Sequence, residues 1–563
     1  MSDVDVDSDG RNEPEKRRGE EATDATRVPD GEGDGGVPTG AGRYRLWGDV
    51  SLWRGVLVSR RPLTAARLND AAVRVVRELD DERFHRPAAV ADRLGVDRSA
   101  VATVLDRLHR RGLLAWSPDA DPSFEPPVTV VVTVRNAADH LGDCLDALAE
   151  LTYPRYEVLI VDDGSTDWTA ALARSHRLAA RGDLRVVEVG TEERPLGIGA
   201  SRNRGAAAAA HDVIAFTDAD CRPRSDWLSA LVPRLAAHDV VGGRVRPHGD
   251  PTAAANAYEG VNSSLDMGAH AARVDPDGAT PYLPTANLVG RREAFESVPF
   301  PEQNVAEDVT FCWRALDAGF DVVYAADGVV EHEYRRDPAA FVSRRATYAA
   351  SEALLARRFG RGDSVPVSPS GLLASALAFL ALVAALAGEP LALGPLAVDG
   401  GGLGLAALGV GGAPALAGAV RRYRRLPAVV SAADVVGSVA RGALSSVYAT
   451  AREVTRYYSV PVAALGVGLA AVGSLVASAV LTGAGVATLL TLAGAVSLPA
   501  LTEYVVHRPP TTLRAYLRWY LLDHLGYQIG AYRGAYRHRT LAHLAPWRRV
   551  RLTGALAGLV GRR

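Results

Sequence analysis

The chain has 563 residues, which is too long for one ordinary domain and predicts three or four folding units. Its 63 Lys and Arg against 65 Asp and Glu give a formal net charge of −2, so no strong basic excess indicates a nucleic-acid-binding protein. The three cysteines, Cys144, Cys221 and Cys312, lie too far apart in sequence for a disulfide framework or a spaced set of metal ligands, which favours a reducing compartment.

Residues 1–42 are charged, rich in glycine and nearly free of large apolar side chains. Such a segment cannot bury enough surface to offset the entropy of ordering it, so we expect a disordered acidic tail. The segment contains no apolar signal sequence, and we therefore expect the domain that follows it to remain in the cytosol.

Residues 43–117 have the pattern of a small winged-helix domain. The stretch YRLWGDVSLWRGVLVS predicts a hairpin, Asn69 is placed to cap a helix, and two further helices surround Gly95 before RRGLLAW. DNA binding by the last helix and a packing domain without a ligand are both compatible with this pattern. Four prolines within residues 118–127 then predict a linker.

Residues 128–360 alternate short runs rich in Val and Ile with helical stretches, as in VTVVVTV, EVLIVDD, LRVVEVG and VIAFTDAD. That rhythm predicts βα units and a mostly parallel sheet, so we assign this segment to the α/β class. In such sheets, ligands bind beyond the carboxyl ends of the strands. The polar residues that follow these strands are therefore the candidates for a functional site.

The first acidic cluster follows the strand in VLIVDDGSTDWT and contains Asp162, Asp163 and Asp167. These carboxylates can accept hydrogen bonds from a ribose or from a base amide. A strand followed by an aspartate-rich helix cap would explain one or two of them. It would not explain a second acidic cluster at the end of another strand of the same sheet.

The second acidic cluster is the pair Asp218 and Asp220 in IAFTDADCRP. Alternate side chains of an extended strand face the same way, so both carboxylates can face one point. Two such charges repel each other unless a cation lies between them or one of them takes up a proton. Mg²⁺ or Mn²⁺ prefers oxygen ligands and can stabilise the charge of a departing diphosphate. The pair therefore predicts a divalent-metal site.

Two further motifs supply a candidate base and a candidate cation. Glu307 and Asp308 precede an amphipathic helix in AEDVTFCWRALDAGF, where acidic residues also simply favour a helix N-terminus. Arg202 and Asn203 lie on a predicted helix before the Asp218 strand, where a cation could contact a diphosphate.

The motifs VTVVVTVRN, VDDGSTD, GASRNRG, TDAD, LPTANLVGRREAF and AEDVTFCWRALDAGF resemble, in this order, those of family 2 glycosyltransferases of the GT-A fold. The resemblance covers about residues 128–350. It implies a nucleotide-sugar donor, a divalent metal (Mg²⁺ or Mn²⁺) and inversion at the anomeric carbon. Thr133 replaces a common proline, and SRRATY stands where the Gln-x-x-Arg-Trp signature of processive synthases would lie, which disfavours long-chain polymer export.

The resemblance also implies roles for individual residues of this chain. Asp308 would be the general base that removes the proton of the acceptor hydroxyl. The donor would be bound by Asp162, Asp163, Asp167, Arg202 and Asp218. The metal would be bound by Asp218, Asp220 and His332, with an ordinary surface histidine as the alternative for His332. The acceptor would be contacted by Thr285, Asn287 and Glu307.

Residues 43–117 are also similar to PqqD-like peptide-recognition domains, which bind a precursor peptide as an added strand at a sheet edge. Joined to a family 2 transferase, this domain makes the chain resemble the glycosyltransferases of mycofactocin systems. The C-terminal stretch YLLDHLGYQIGAYRGAYR is similar to the same group. The resemblance implies a peptide-derived acceptor as the partner and argues against nucleic acid.

Residues 371–503 contain four apolar runs, and GLLASALAFLALVAALAG alone comes close to the roughly 20 residues that span a bilayer. We expect about four helices in two hairpins, with the turn of the second hairpin at residues 482–484 and the basic segments on the cytosolic side. Buried or re-entrant core helices are the alternative. The basic aromatic tail, residues 504–563, mixes arginines and aromatics as an interfacial helix would.

The sequence thus predicts a GT-A, Rossmann-like α/β domain, preceded by a small winged-helix domain and followed by membrane helices. We expect a multi-pass protein of the cell membrane with a cytosolic catalytic domain. The resemblance to the glycosyltransferases of mycofactocin systems implies that it transfers glucose from UDP-glucose to a peptide-derived redox cofactor precursor. The alternatives are a polyprenyl phosphate or cell-surface glycan acceptor for the same chemistry, and a catalytically inactive sensor. The intact acidic set disfavours the sensor, because a non-enzyme has no need to hold several like charges together.

Overall fold

The computed structural model describes residues 42–302, 305–360, 365–367, 369–388, 390–393, 396–426, 428–545 and 550–552. The predicted acidic tail lies outside the described residues except for Gly42, which begins the first strand. Residues 553–563 of the predicted basic tail lie outside them as well.

Residues 42–118 form five strands and three helices. The strands are β1 (Gly42–Leu46), β2 (Val50–Trp53), β3 (Val56–Arg60), β4 (Leu63–Arg67) and β5 (Leu114–Pro118), and the helices are α1 (Asp70–Arg77), α2 (Pro87–Leu94) and α3 (Arg98–Arg110). Asn69 caps α1 as predicted, with its Oδ1 accepting from the Ala72 amide at 2.8 Å. The predicted hairpin is β2–β3, which turns at Arg54 and Gly55, whereas β1 pairs with β5.

Residues 128–332 form a nine-stranded sheet with helices on both faces. Its strands are β6 (Val128–Val134), β7 (Tyr156–Asp163), β8 (Leu184–Gly190), β9 (Val213–Asp218), β10 (Cys221–Pro223), β11 (Val240–Pro247), β12 (Ala272–Arg273), β13 (Leu288–Arg291) and β14 (Val322–His332). Its helices are α4 (Ala138–Ala149), α5 (Thr169–Ser175), α6 (Arg177–Ala180), α7 (Ile198–Ala208), α8 (Trp227–Leu231), α9 (Ala254–Asn262), α10 (Arg292–Ser297) and α11 (Glu307–Asp317).

The order along this sheet is β10-β14-β11-β13-β9-β6-β7-β8, with β12 paired to β14. The sheet is mixed and not mostly parallel as predicted, because β13 runs antiparallel to both of its neighbours, β11 and β9. The part formed by β9, β6, β7 and β8 is parallel, so these strands end at the same edge.

Strands β6, β7 and β9 of the parallel part are largely buried on both faces, which explains their nearly continuous apolar sequences. Along β6, Val130 and Val132 pack with Leu145 of α4 on one face of the sheet. Val131, between them, packs on the other face in a cluster that includes Phe216 of β9. These two cores hold β6 and its neighbours in place, and they fix the edge at which the acidic residues lie.

The C-terminal part of the chain is helical. Its helices are α12 (Pro338–Phe359), α13 (Pro369–Ala387), α14 (Gly400–Arg425), α15 (Ala432–Glu453), α16 (Ser459–Leu475), α17 (Ala479–His507) and α18 (Leu513–His538), with short strands β15 (Val365–Val367), β16 (Leu391–Leu393), β17 (Leu396–Val398) and β18 (Val550–Leu552). A π-helical turn, Val454–Tyr458, joins α15 to α16. Four stretches are long and apolar enough to cross a membrane, as predicted: Ser370–Ala387, Gly400–Arg424, Ala432–Leu475 and Ala479–His507.

Two details of this region differ from the sequence prediction. The turn between the last two apolar helices lies at residues 476–478 and not at 482–484, because Ser478 caps α17 and Ala477 adopts a left-handed conformation with φ 51°. The aromatic helix α18 is more than an interfacial helix. One of its faces packs closely on α12, where a Cβ atom at Gly530 would lie 2.1 Å from the carbonyl oxygen of Ala346.

Candidate active site

Two acidic strand ends meet at the carboxyl edge of the sheet. Strand β6 lies between β7 and β9, and its register places Val134 beside Asp162 and Thr133 beside Asp218. The two acidic clusters predicted from the sequence therefore flank the end of one strand. That is the position at which α/β sheets bind their ligands.

Two carboxylates of the first acidic cluster organise the loops around this edge. Asp163 accepts hydrogen bonds from the amides of Leu196 and Gly197, at 2.7 and 2.8 Å, just before α7 begins. Asp162 accepts from the Ser165 amide at 2.9 Å, within the loop that follows β7. Both side chains are buried. They fix the backbone that surrounds the predicted donor site.

Asp167 connects the loop after β7 to the start of α4. Its carboxylate accepts from the amides of Thr169 at 3.0 Å and Ala138 at 3.2 Å. Burial alone would raise the pKa of Asp167, but the hydrogen bonds from Thr169 and Ala138 outweigh it and lower that pKa below its usual value. Asp167 therefore remains ionised at neutral pH.

Arg202 is the central cation of the site. Its side chain is only 2% exposed, and it donates to Asp218 Oδ1 at 2.9 Å and to Glu307 Oε1 at 2.7 Å. Burial disfavours the charge, but the two carboxylates outweigh burial and raise the pKa of Arg202. Two of its five N–H donors are used in these ion pairs, and the direct contact between Arg202 and the donor stays a prediction. Arg202 is the shared counter-ion of Asp218 and Glu307.

Asp220 and His332 come together where β10 pairs with β14, in a register that places Cys221 opposite His332. His332 Nε2 lies 3.5 Å from Asp220 Oδ1. One ligand atom from each of Asp220, Cys221 and His332 lies within 4.8 Å of the others. Burial, followed by the negative charges of Asp220 and Asp218, raises the pKa of the Cys221 thiol well above its usual value.

The residues beside His332 fit a divalent cation. His332 is buried, and among the residues that the structure describes its Nδ1 has no hydrogen-bond partner. The Asp218 and Asp220 side chains keep 26% and 17% of their surface exposed, so their oxygens can be reached from the cleft. Carboxylate oxygens with one imidazole suit Mn²⁺, and the oxygens suit Mg²⁺.

Asp308 lies in the first turn of α11, two residues after a strained backbone position. Ala306 has φ 52°, which is uncommon for a residue other than glycine. Asp308 Oδ1 accepts from the Val309 amide at 2.8 Å. Burial, followed by the negative charge of Glu307, raises the pKa of Asp308 to about 7. A carboxylate with such a pKa can accept a proton near neutral pH and release it again.

The predicted acceptor residues Thr285 and Asn287 are both buried. Asn287 Oδ1 accepts from Trp227 Nε1 at 2.7 Å, and its Nδ2 donates to the carbonyls of Arg244 and Gly328 at 3.0 Å each. Both the oxygen and the nitrogen of this amide are thus engaged within the domain, and an acceptor contact for Asn287 stays a prediction. Asn287 thereby connects β11 to β14.

Helix α12 places side chains opposite the predicted metal ligands that the sequence pattern did not indicate. A cavity beside Asp220 and His332 is lined by Arg344, Arg345 and Tyr348 of α12. Arg344 Nε donates to the Tyr348 hydroxyl at 2.9 Å. The sequence feature that could have indicated these side chains is the pair of successive arginines in SRRATY.

Comparison with known proteins identifies similar chains. Residues 129–298 match Glycosyl transferase family 2. The chain is 31% identical over 338 residues to the pre-mycofactocin glycosyltransferase of Mycobacterium tuberculosis strain H37Rv, a match that covers 59% of this chain and 65% of that relative. The chain thus spans slightly less than two thirds of that relative's length. The expected resemblance to glycosyltransferases of mycofactocin systems is confirmed.

A solved structure of the mannosyltransferase PcManGT from Pyrobaculum calidifontis, in complex with GDP-Man and Mn²⁺, is 23% identical, with 57% of this chain and 89% of that chain covered and a TM-score of 0.34. The glycosyltransferase AglE of Haloferax volcanii is 33% identical over 219 residues, which cover 37% of this chain and 68% of that relative. With this identity over more than two thirds of a relative, the chain belongs to glycosyl transferase family 2, and the expected GT-A fold of its α/β domain is confirmed.

Proposed function

We propose that this chain is a membrane-anchored, inverting and metal-dependent glycosyltransferase that transfers glucose from UDP-glucose to a peptide-derived redox cofactor precursor. The observation that carries the proposal is Asp308, a half-buried carboxyl group whose pKa is raised to about 7 by burial and by the negative charge of Glu307. Family membership supplies the class of reaction, and Asp308 supplies the base that this reaction needs.

Asp308 is the general base of the proposed reaction. Above pH 7 its carboxylate is mostly ionised and accepts the proton of an acceptor hydroxyl. The hydroxyl oxygen forms a bond to the anomeric carbon while the bond from that carbon to the diphosphate oxygen breaks, and UDP leaves with the bonding electrons. Attack from the face opposite the diphosphate inverts the anomeric configuration, which yields a β-linked glucose.

Arg202 connects the strand on the leaving-group side of the site to the helix that carries the base. It binds Asp218 at the end of β9, on the side of the leaving group, and Glu307, the residue before the base. Moving β9 relative to α11 would break a buried ion pair, which typically costs about 3–5 kcal/mol. The pairing therefore supports a fixed separation between base and leaving group, as a single displacement requires.

The loops held by the first acidic cluster shape the proposed donor site. Asp163 fixes the backbone before α7, and Asp162 and Asp167 fix the loop after β7. These hydrogen bonds support nucleoside binding by a preorganised loop whose carboxylates are partly engaged with backbone amides. UDP-glucose is the donor implied by the resemblance to mycofactocin-system enzymes.

Asp220 and His332, with Asp218 at the end of β9, are the residues that would hold Mg²⁺ or Mn²⁺. When bound, this ion supplies positive charge that offsets the charge of the diphosphate. The buried position of His332 beside Asp220, and the exposed oxygens of both aspartates, support the assignment.

The peptide-derived acceptor is supported by the similarity to a pre-mycofactocin glycosyltransferase and by the small sheet β2-β3-β4. Among the described strands, β2 pairs only with β3, so its outer backbone groups are available for the addition of a peptide strand. We assign residues 43–117 as the peptide-recognition domain and residues 118–127 as its linker.

Membrane anchoring is supported by the four apolar stretches between residues 370 and 507. We propose a multi-pass protein of the cell membrane whose catalytic domain is cytosolic. The same helices favour a second candidate acceptor, a polyprenyl phosphate, because a lipid acceptor would approach the site from the bilayer.

The test measures transfer of label from UDP-glucose in isolated membranes with Mg²⁺ or Mn²⁺, in the presence and absence of the peptide-derived acceptor. Asp308→Asn removes the base, and Asp317→Asn is the matched control because Asp317 is exposed at the other end of α11. We expect label on the peptide product, lost in Asp308→Asn and kept in Asp317→Asn. Label in lipid alone would favour the polyprenyl phosphate, and transfer to neither acceptor would contradict the proposal.

A further inference from the structure

The cavity beside the metal ligands is closed on one side by helix α12. Arg344, Arg345 and Tyr348 of α12 line this wall. Arg344 donates from Nε to the Tyr348 hydroxyl and, within the part of the chain that the structure describes, has no carboxylate partner within 4.0 Å. The guanidinium of Arg344 is therefore available to a ligand in the cavity, and its position depends on the position of α12.

Arg345, the next residue of α12, is buried where this helix packs against α9 and α18. Its Nη2 lies 2.7 Å from Glu259 Oε2, and its Nε lies 3.0 Å from Asp523 Oδ1. The Tyr258 hydroxyl donates to the other carboxylate oxygen of Asp523 at 2.6 Å. One arginine thus joins the cavity wall to both a helix of the catalytic domain and the C-terminal helix.

Asp523 is the acid that balances the charge of Arg345. Burial would raise the pKa of Asp523, but the positive charge of Arg345, together with nearby His524 and the hydrogen bond from Tyr258, lowers it below its usual value. Burial raises the pKa of Glu259 to about 7 in spite of the same arginine. Near neutral pH, Asp523 is therefore ionised while Glu259 is partly protonated. A buried guanidinium that loses its ionised partner has to move toward another acceptor or toward water.

Helices α18 and α12 also meet at very close range. A Cβ atom at Gly530 would lie 2.1 Å from the Ala346 carbonyl oxygen, and one at Gly534 would lie 2.6 Å from the Ala350 carbonyl oxygen. With no side chain between the two backbones, a shift of α18 is passed directly to α12. Ala346 is adjacent to Arg345 in sequence, so such a shift reaches the cavity wall.

We propose that Asp523 is a positioning residue of the active site, a role that rests on the glycosyl transfer proposed above. It acts through Arg345 and helix α12 to hold Arg344 in the cavity beside the metal ligands. The C-terminal helix is then part of the catalytic structure, although it follows the apolar helices in the chain and lies more than 150 residues beyond α12 in sequence.

The test uses the full chain in membranes and measures kcat and KM for donor and acceptor. The variants are Asp523→Ala, Asp523→Asn, Arg344→Ala and the double variant Asp523→Ala with Arg344→Ala. Asp523→Asn preserves the size of the side chain and one acceptor oxygen, so it provides the measurement if the alanine variant does not fold. Tyr516→Phe is the matched control, since Tyr516 is a buried residue of α18 whose hydroxyl bonds with Glu503 and Asn262 instead.

We expect Asp523→Ala to lower kcat by about 10-fold or more with little change in donor KM, Asp523→Asn to lower it less, and Tyr516→Phe to leave it within about twofold. Since Asp523 acts through the position of Arg344, the losses in the double variant should not add. Its kcat should lie at most about threefold below that of the slower single variant. Fully additive losses, or an equal loss in Tyr516→Phe, would overturn the inference. Absence of transfer by the unsubstituted chain would overturn the proposed function, whereas transfer with normal kcat in the Asp523 variants would overturn only this role.

Discussion

The rate of sugar transfer is expected to rise with pH through about 7, because Asp308 must be ionised to accept the acceptor proton. Burial and the charge of Glu307 raise the pKa of Asp308 to about 7. A base with that pKa is about one tenth ionised at pH 6 and about nine tenths ionised at pH 8, so kcat/KM at pH 8 should be about tenfold higher than at pH 6. An aspartate with an ordinary pKa would be ionised at both values and would show no such difference.

Glu307→Gln tests the physical cause of this pH dependence. The substitution removes the negative charge of Glu307 beside Asp308. It also leaves the positive charge of Arg202 balanced by one carboxylate fewer. Both changes favour the ionised form of Asp308 and so lower its pKa. In assays of kcat/KM from about pH 5.5 to about pH 9, the acidic limb should move to lower pH, while Asp317→Asn leaves it in place. A profile that is flat from pH 6 to pH 8, or a limb that does not move in Glu307→Gln, would refute the assignment to Asp308.

The same raised pKa predicts a cost in stability. A carboxyl group whose folded pKa exceeds its unfolded pKa destabilises the folded state progressively as pH rises from 3.8 to about 7, and the full cost, at most about 4 kcal/mol, is present above pH 7. Asp308→Asn removes that cost. The inactive variant should therefore unfold in detergent at a higher temperature than the unsubstituted chain at pH 8, with no such gain below about pH 4. A lower unfolding temperature at pH 8 would count against the raised pKa.

Three further substitutions test the framework around this base. Arg202→Gln leaves two carboxylates without their buried counter-ion, so we expect a loss of about 3–5 kcal/mol in stability and loss of transfer, measured by thermal unfolding and by activity. Gly530→Val should separate α18 from Ala346 and lower activity, whereas Gly494→Val, where no atom lies within 4 Å of the added Cβ, should not. His332→Ala should raise the Mn²⁺ concentration for half-maximal activity by about 10-fold or more, and an unchanged value would exclude it as a ligand.

Sequence pattern could place the acidic clusters because their positions depend on local features. Apolar runs mark where strands end, and parallel strands bring their carboxyl ends to one edge, so Asp162 and Asp218 could be expected near each other. The approach of His332 to Asp220 depends on the antiparallel pairing of β10 with β14, which no local pattern specifies. Only the resemblance to a family indicated that histidine.

The partners of the polar side chains could not be predicted in the same way, because they come from distant segments. Arg202 binds Glu307 across 105 residues of sequence, and this pairing makes it a buried counter-ion, a role that the local pattern does not indicate. Asn287 lies in a motif that resembles family 2 glycosyltransferases, and its amide bonds with Trp227 and with the carbonyls of Arg244 and Gly328, which come from distant segments. A motif records which residue types are present, whereas tertiary packing decides whether a polar atom faces the cleft or the core.

Helix α18 has two faces, and their different surroundings connect the active site to the proposed membrane. One face carries the glycines that meet α12 and the carboxylate that pairs with Arg345. Another face exposes Leu521, Leu525 and Ile529, which repeat every four residues and so lie in one row along the helix. An exposed apolar row on a helix that also carries arginines suits the surface of a bilayer. Because a single helix carries both faces, a shift of α18 at its contact with lipid would also shift its contacts with the cavity wall, in the membrane-bound state that we propose.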